Sequence, residues 1–359
     1  MTWLGDALGR IAEDMPDRDL AARAIEIHRR RRRNLVALTA AAVVVVTVLA
    51  ATVGVRALPG ARQEPAAPAP PPERSTLRVG VVASAAAAPL YVANAKGFFR
   101  QEGLTVEPHV IPAAAASVPR VSAGDLDLAQ TDYLATLMAA ENGHPLKIVG
   151  SLHQARPGTT ALVVGAGSRI RSVAGLKGRR IGVAGLRSVE ELALEATLER
   201  AGLRRSDVVL VETPLPELIG GLEKGRFAAA LLVEPFVSQG VAQRRTRVLA
   251  DPMTGAFAGL HVAGWMAGDD WVRRNPATLG AFRRALARAH RLIAEDPGQA
   301  AAILPYYIRI TEPAALRIRQ GIYPATPDLE ELRRLADLAH ERKWLKTPLD
   351  PQGLVVPPG

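Results

Sequence analysis

Four short segments carry side chains whose types and spacing point to chemistry. Gly185-Leu186-Arg187-Ser188 runs directly into an apolar helical pattern. Ser188 is therefore placed as an N-cap, with free backbone N–H groups at a helix N-terminus, a setting that favours anions. Arg187 adds a planar two-pronged donor suited to sulfonate, carboxylate or phosphate. Two readings stay open: the turn holds an anion, or Ser188 only caps the helix while Arg187 faces water. Tyr91 and Tyr133 can stack on a planar solute or fill core. Asp132 can accept from an amine or cap the helix that follows it. Glu234, at a strand end before Pro235-Phe236, can touch a solute or belong to a hinge.

Other site chemistries are weakly represented. The chain has no cysteine, which removes disulfides, thiolate metal sites and Cys nucleophiles. Gly165-Ala166-Gly167 begins like a dinucleotide fingerprint, but Ile170 stands where its third glycine belongs. Neither a phosphate-binding P-loop nor a GxSxG elbow occurs, and the seven histidines lack ligand spacing. No catalytic residue, no cofactor and no metal are expected.

The elements that position these residues alternate. "LRVGVV" reads as a strand, "ASAAAAPL" as a loop, "YVANAKGFF" as a helix, "LTVEPHV" as a strand, and "GDLDLAQTDY" carries a third strand signal. Such alternation predicts parallel strands with crossover helices, whose strand-end loops gather at one cleft. "KIVGSL", "TTALVV", "RIGVAG", "DVVLVET", "FAAALLVEPF" and "HVAGWMAG" continue the strand set. A helix runs from Ser188 to about Ala201, with Glu191, Glu195 and Glu199 as a solvated stripe. Phe282, Ala285, Leu286, Ala289, Leu292 and Ile293 give a 3.6-residue apolar stripe, with Arg283, Arg284, Arg288 and Arg291 opposite. A last helix ends near Trp344. Two α/β lobes sharing crossover strands follow: lobe 1 over 76–165 and 255–359, lobe 2 over 166–254.

The first 75 residues have another character. Leu35 to Val55 holds no charge over 21 residues and would span about 32 Å as a helix, enough for a bilayer. Arg29 to Arg33 precedes it, so the positive-inside rule leaves a cytoplasmic tail at 1–34, a transmembrane signal anchor at 35–55, and an extracytoplasmic body. Residues 56–75 form a Pro/Ala-rich linker, a stiff spacer of roughly 40 Å. The chain carries 45 basic and 35 acidic residues, net +10, yet its basic residues outside the Arg run are dispersed among acids, so nucleic acid is not an expected partner.

Seven phrases in fixed order, from "APLYVANAKGFFRQEGLTVE" through "SAGDLDLAQTDY", "IRSVAGLKGRRIGVAG" and "EKGRFAAALLVEPF" to "RRNPATLGAFRRALARAHRLIAEDP", give the chain a resemblance. It resembles the periplasmic substrate-binding proteins of ABC importers, in the subgroup serving sulfonates, taurine, nitrate and thiamine pyrimidine precursors. The resemblance implies a type II binding-protein fold, with a small solute trapped between two lobes and handed to an ABC permease and its ATPase. By position it implies cleft-facing residues at Ser84, Pro89 and Tyr91, at Gln130, Thr131, Asp132 and Tyr133, at Gly185, Arg187 and Ser188, and at Glu234. The first loop is almost all alanine, unlike the polar or aromatic loops of such proteins. A sensor signalling through the membrane helix, and an enzyme like the pyrimidine synthases that share the fold, are the alternatives.

Overall fold

The computed structural model describes residues 70–357. The expected tail at 1–34, the span at 35–55 and most of the linker lie outside them. Among the described residues, no helix is long and apolar enough to cross a membrane.

Ten strands follow in chain order: β1 (Thr76–Val82), β2 (Thr105–Ile111), β3 (Leu128–Asp132), β4 (Leu146–Gln154), β5 (Thr160–Gly165), β6 (Arg180–Val183), β7 (Val209–Glu212), β8 (Ala229–Val233), β9 (Thr246–Ala250) and β10 (His261–Gly268). They form two five-stranded sheets, ordered β2-β1-β3-β10-β4 and β7-β6-β8-β5-β9. The first three strands of each order are parallel, as the alternation of strands and helices requires. Each sheet is nevertheless mixed: β10 runs antiparallel between β3 and β4, and β5 antiparallel between β8 and β9. The expectation of purely parallel sheets fails there because β5 and β10 are the strands through which the chain enters a new lobe.

The passages between lobes are short, Gln154 to Thr160 and Ala250 to His261. The second sheet therefore starts with β5, ahead of the division expected at residue 166. The first lobe also begins before residue 76. Glu73 accepts from the N–H groups of Ala277 and Thr278, and Arg74 pairs with the buried Asp127 at 2.8 Å. β9, "TRVLA", has no counterpart among the expected strands; it is a short edge strand carrying an arginine.

Five longer helices pack on these sheets: α1 (Ala88–Ala95), α2 (Tyr133–Glu141), α3 (Val189–Arg200), α4 (Pro276–Glu295) and α5 (Leu329–Glu341). The α4 stripe is buried as its period demands, with Phe282 stacked on Phe99 and edge-on to Trp265. Three of its four arginines are engaged, while Arg291 is exposed. Arg283 donates to the carbonyls of Val149, Val356 and Pro357; Arg284 pairs with Glu102; Arg288 lies over the Phe98 ring. The glutamates of α3 are not a solvated stripe either. Glu191 is buried against Arg205, Glu195 accepts from the Trp344 indole, and Glu199 pairs with Arg342. Trp344 and Arg342 belong to the first lobe, so this face docks one lobe on the other.

Gly264, in the middle of β10, faces the ring of the fully buried Tyr133, and a Cβ there would overlap the ring's hydroxyl edge. Gly264→Ala is expected to lower stability by about 1–3 kcal/mol through overpacking. A urea titration followed by tryptophan fluorescence checks it; an unchanged midpoint would show that Tyr133 has room to move.

Candidate functional site

Beyond the ends of β3 and β6 the lobes enclose a cavity of about 110 Å³. That is room for a solute of a handful of heavy atoms. Alanines supply facing walls: Ala85 and Ala86 after β1, and Ala113 to Ala115 after β2. The first wall is held from behind, where Tyr307 and Tyr323 donate from their hydroxyls to the carbonyls of Ser84 and Ala85, at 3.0 and 2.9 Å.

Six expected site residues line this cavity: Ser84, Gln130, Asp132, Gly185, Ser188 and Glu234. Five do not. Pro89 is buried in the first turn of α1, where a missing N–H does no harm. Tyr91 stacks on Tyr307, ring centroids 3.8 Å apart. Thr131 is fully buried, its hydroxyl 2.8 Å from that of Thr136. Tyr133 is core. Arg187 sits at φ 59°, a left-handed conformation that turns its exposed side chain to an outer hollow beside Glu191, Arg205 and Trp344.

Asp132 is the helix cap that its type allows, and it also bridges the lobes. It caps α2, accepting from the Ala135 N–H at 3.1 Å, and its other oxygen accepts from the Val189 N–H in the opposite lobe at 2.9 Å. The 185–188 turn and the start of α3 are satisfied in part within the protein. Val189 N–H goes to Asp132, Glu191 N–H to the Ser188 hydroxyl at 3.1 Å, and Arg187 N–H to Glu191 at 2.7 Å. Ser188 is the cap that its type predicts.

Glu234 also joins the lobes. Its carboxylate accepts from the Ser238 hydroxyl and N–H and from the Arg319 N–H, while its backbone carbonyl accepts from Ala85 N–H. Burial pushes its pKa up against these donors.

Glu190, His153, Thr159, Thr160 and Arg319 line the cavity without having been singled out. Glu190 matters most, because its carboxyl lies within hydrogen-bonding reach of Asp132. Burial, then the charge of Glu190, hold Asp132 well above the usual carboxylate range, and burial raises Glu190 too. Like charges this close do not both ionise readily, so the loss of the first proton makes the second harder to lose. Glu190 stands in the first turn of α3, two residues past its cap and so at the cleft end of the helix, a signal that could have found it. His153 is lowered to about 4, chiefly by burial, and is neutral at pH 7.

Two α/β lobes, two short crossings and a closed cavity at the strand ends define a type II periplasmic-binding-protein fold. The chain belongs to the family described as NMT1/THI5 like, which matches residues 84–300. An Escherichia coli protein whose name assigns it aliphatic sulfonates is 25% identical over 255 residues, 67% of this chain and 75% of that one. The 4-amino-5-hydroxymethyl-2-methylpyrimidine phosphate synthase of Schizosaccharomyces pombe is 26% identical over 227 residues, 59% of this chain and 63% of the relative. Among solved structures, the alkanesulfonate-binding protein SsuA of Xanthomonas axonopodis, bound to MOPS, superposes with a TM-score of 0.67 at 19% identity. That match covers 79% of this chain and 99% of SsuA, and shows the fold.

An acid whose folded-state pKa is raised stabilises the fold below its unfolded pKa, and that contribution is lost as pH climbs through the folded value. Stability of the native chain relative to Glu190→Gln should therefore fall as pH climbs above the usual carboxylate range. Paired urea titrations measure it; a difference independent of pH would mean that the two carboxyls do not affect each other's ionisation.

Proposed function

We propose that the chain is a non-enzymatic extracytoplasmic receptor that captures a small organic or anionic solute, of sulfonate, nitrate or pyrimidine-precursor type, and delivers it to an ABC importer. The observation that carries this reading is the cavity between two lobes that, among the described residues, are joined through the crossings at 154–160 and 250–261. Such a pair of lobes opens and shuts by hinge bending. Names of relatives that contain "sulfonate" support the solute-binding role. The uncharged stretch 35–55, flanked by Arg29 to Arg33, supports a single-pass tether with the body outside, at the end of the Pro/Ala stalk.

The pyrimidine synthase relative supports an enzymatic reading as the alternative. The resemblance attaches a Cys-rich iron motif to that branch, and this chain has no cysteine.

Full-length chain isolated in detergent from its native membrane should carry an ABC permease identifiable by mass spectrometry. In a thermal melt, a cognate solute at 100 times its Kd should add about 2.7 kcal/mol of stability. It should be recovered unchanged. Conversion of the solute to a product would replace this reading with the enzymatic one.

A further inference from the structure

The receptor reading spans organic and anionic solutes, and the lining of the cavity favours the organic side of that range over the sulfonate or nitrate side. Three carboxyl groups line the space, Asp132, Glu190 and Glu234, against one arginine, Arg319, whose residue is exposed. His153 is neutral at pH 7. An oxyanion entering here would find three N–H groups of the turn and the start of α3, those of Arg187, Val189 and Glu191, already taken by Glu191, Asp132 and Ser188. It would also meet acids in place of counter-charge.

The acids differ in what they have left to offer. Both Glu234 oxygens accept from Ser238 or Arg319, and both Asp132 oxygens accept from backbone N–H groups. Glu190 leans on its neighbour and on Ser188, and is the carboxyl with capacity for a new donor. Two further side chains are aimed into the cavity with no hydrogen-bond partner for the relevant atom among the described residues. They are the Ser84 hydroxyl and the Gln130 amide nitrogen, each residue 4% exposed. The Gln130 oxygen is used, accepting from Val82 N–H at 3.0 Å, which fixes the amide so that its NH₂ points to the space. That NH₂ is a donor left unused within the protein, and an oxygen on the solute can accept from it.

Resting on the receptor reading above, we infer that the solute is a small amine cation carrying an oxygen acceptor, of amino-alcohol size, and not an oxyanion. The ammonium sits against Glu190 and Asp132, its oxygen accepts from Gln130, and the alanine walls pack its carbons. Binding displaces a proton from the two carboxyls into solvent, so affinity for an amine tightens as pH rises. An anion would show the opposite sign. The titratable and charged groups that face the pair are His153, Glu234 and Arg319 within the cavity. Glu191 with its partner Arg205, and Glu212 at Leu186, lie behind the turn.

Calorimetric titration of the full-length chain in detergent, at pH 6 and pH 8, tests this with ethanolamine, ethylammonium, ethanesulfonate and nitrate. Both amines stay protonated across that range. Ethanolamine should bind, ethylammonium more weakly, and the ethanolamine Kd should fall by up to about tenfold per pH unit, the limit for one released proton. Glu190→Gln should abolish the pH dependence and weaken binding at least tenfold; Glu190→Asp, which keeps the charge, should retain the sign of the pH effect. Gln130→Leu should remove the preference for ethanolamine over ethylammonium. Binding of ethanesulfonate or nitrate without the amines, or a Kd that tightens toward low pH, overturns the inference and leaves the receptor reading standing. Failure of all four probes overturns the inference and counts against the receptor reading as well.

Discussion

The closed arrangement depends on one carboxylate that serves two helices. Asp132 ends β3, caps α2 through Ala135, and reaches across the cleft to the first N–H of α3. A hydrogen bond to a charged group contributes about 1.5–3 kcal/mol net, and removing the acceptor would leave two buried N–H groups without partners. The contact is favourable for a second reason, since a helix N-terminus attracts negative charge. Opening the lobes must break it and expose the Val189 N–H to water. The state of the cleft is therefore tied to the protonation of this pair of acids.

Around that bond the remaining interlobe contacts are arranged by distance from the hinge. Near the crossings, Glu234 holds Ser238 on its own lobe and Arg319 on the other, and its carbonyl takes Ala85 N–H. At the far edge, Glu195 and Glu199 meet Trp344 and Arg342. These outer pairs are partly solvated, so each is worth little alone and gives way at small cost. Between them the turn after β6 comes close enough to the loop after β2 that a Cβ on Gly185 would lie 3.1 Å from the Ala113 Cβ. Small side chains in the two loops permit that approach; larger ones would hold the lobes apart.

Much of this could be read from the residues. The β1-α1-β2 pattern, the α4 stripe and the caps at Asp132 and Ser188 follow from local chemistry, and they stand where that chemistry places them. What could not be read is set by partners distant in sequence. The glutamates of α3 show by spacing that they share a face, but nothing local says that Trp344, 149 residues on from Glu195, covers it. Strand direction is a similar case: β5 and β10 look like any buried strand, and only the lobe crossing makes them antiparallel. Arg187 looked like a ligand group because a guanidinium suits anions. A positive φ at that one residue sends it to the other side of the turn.

Selectivity and closure thus fall on the same atoms. In many two-lobed binders the loops read the solute and the hinge merely follows. Here the loops are alanine and can read only size, while the polar groups that can recognise a solute are the ones that join the lobes or stand beside them. A ligand that neutralises Glu190 relieves repulsion on Asp132, leaving Asp132 fully ionised to accept from Val189. The cross-cleft bond is then stronger with the solute present than without it, because a carboxylate accepts more strongly than a carboxylic acid. Binding energy at Glu190 is in this way passed directly to the contact that keeps the lobes shut, without any movement of the walls.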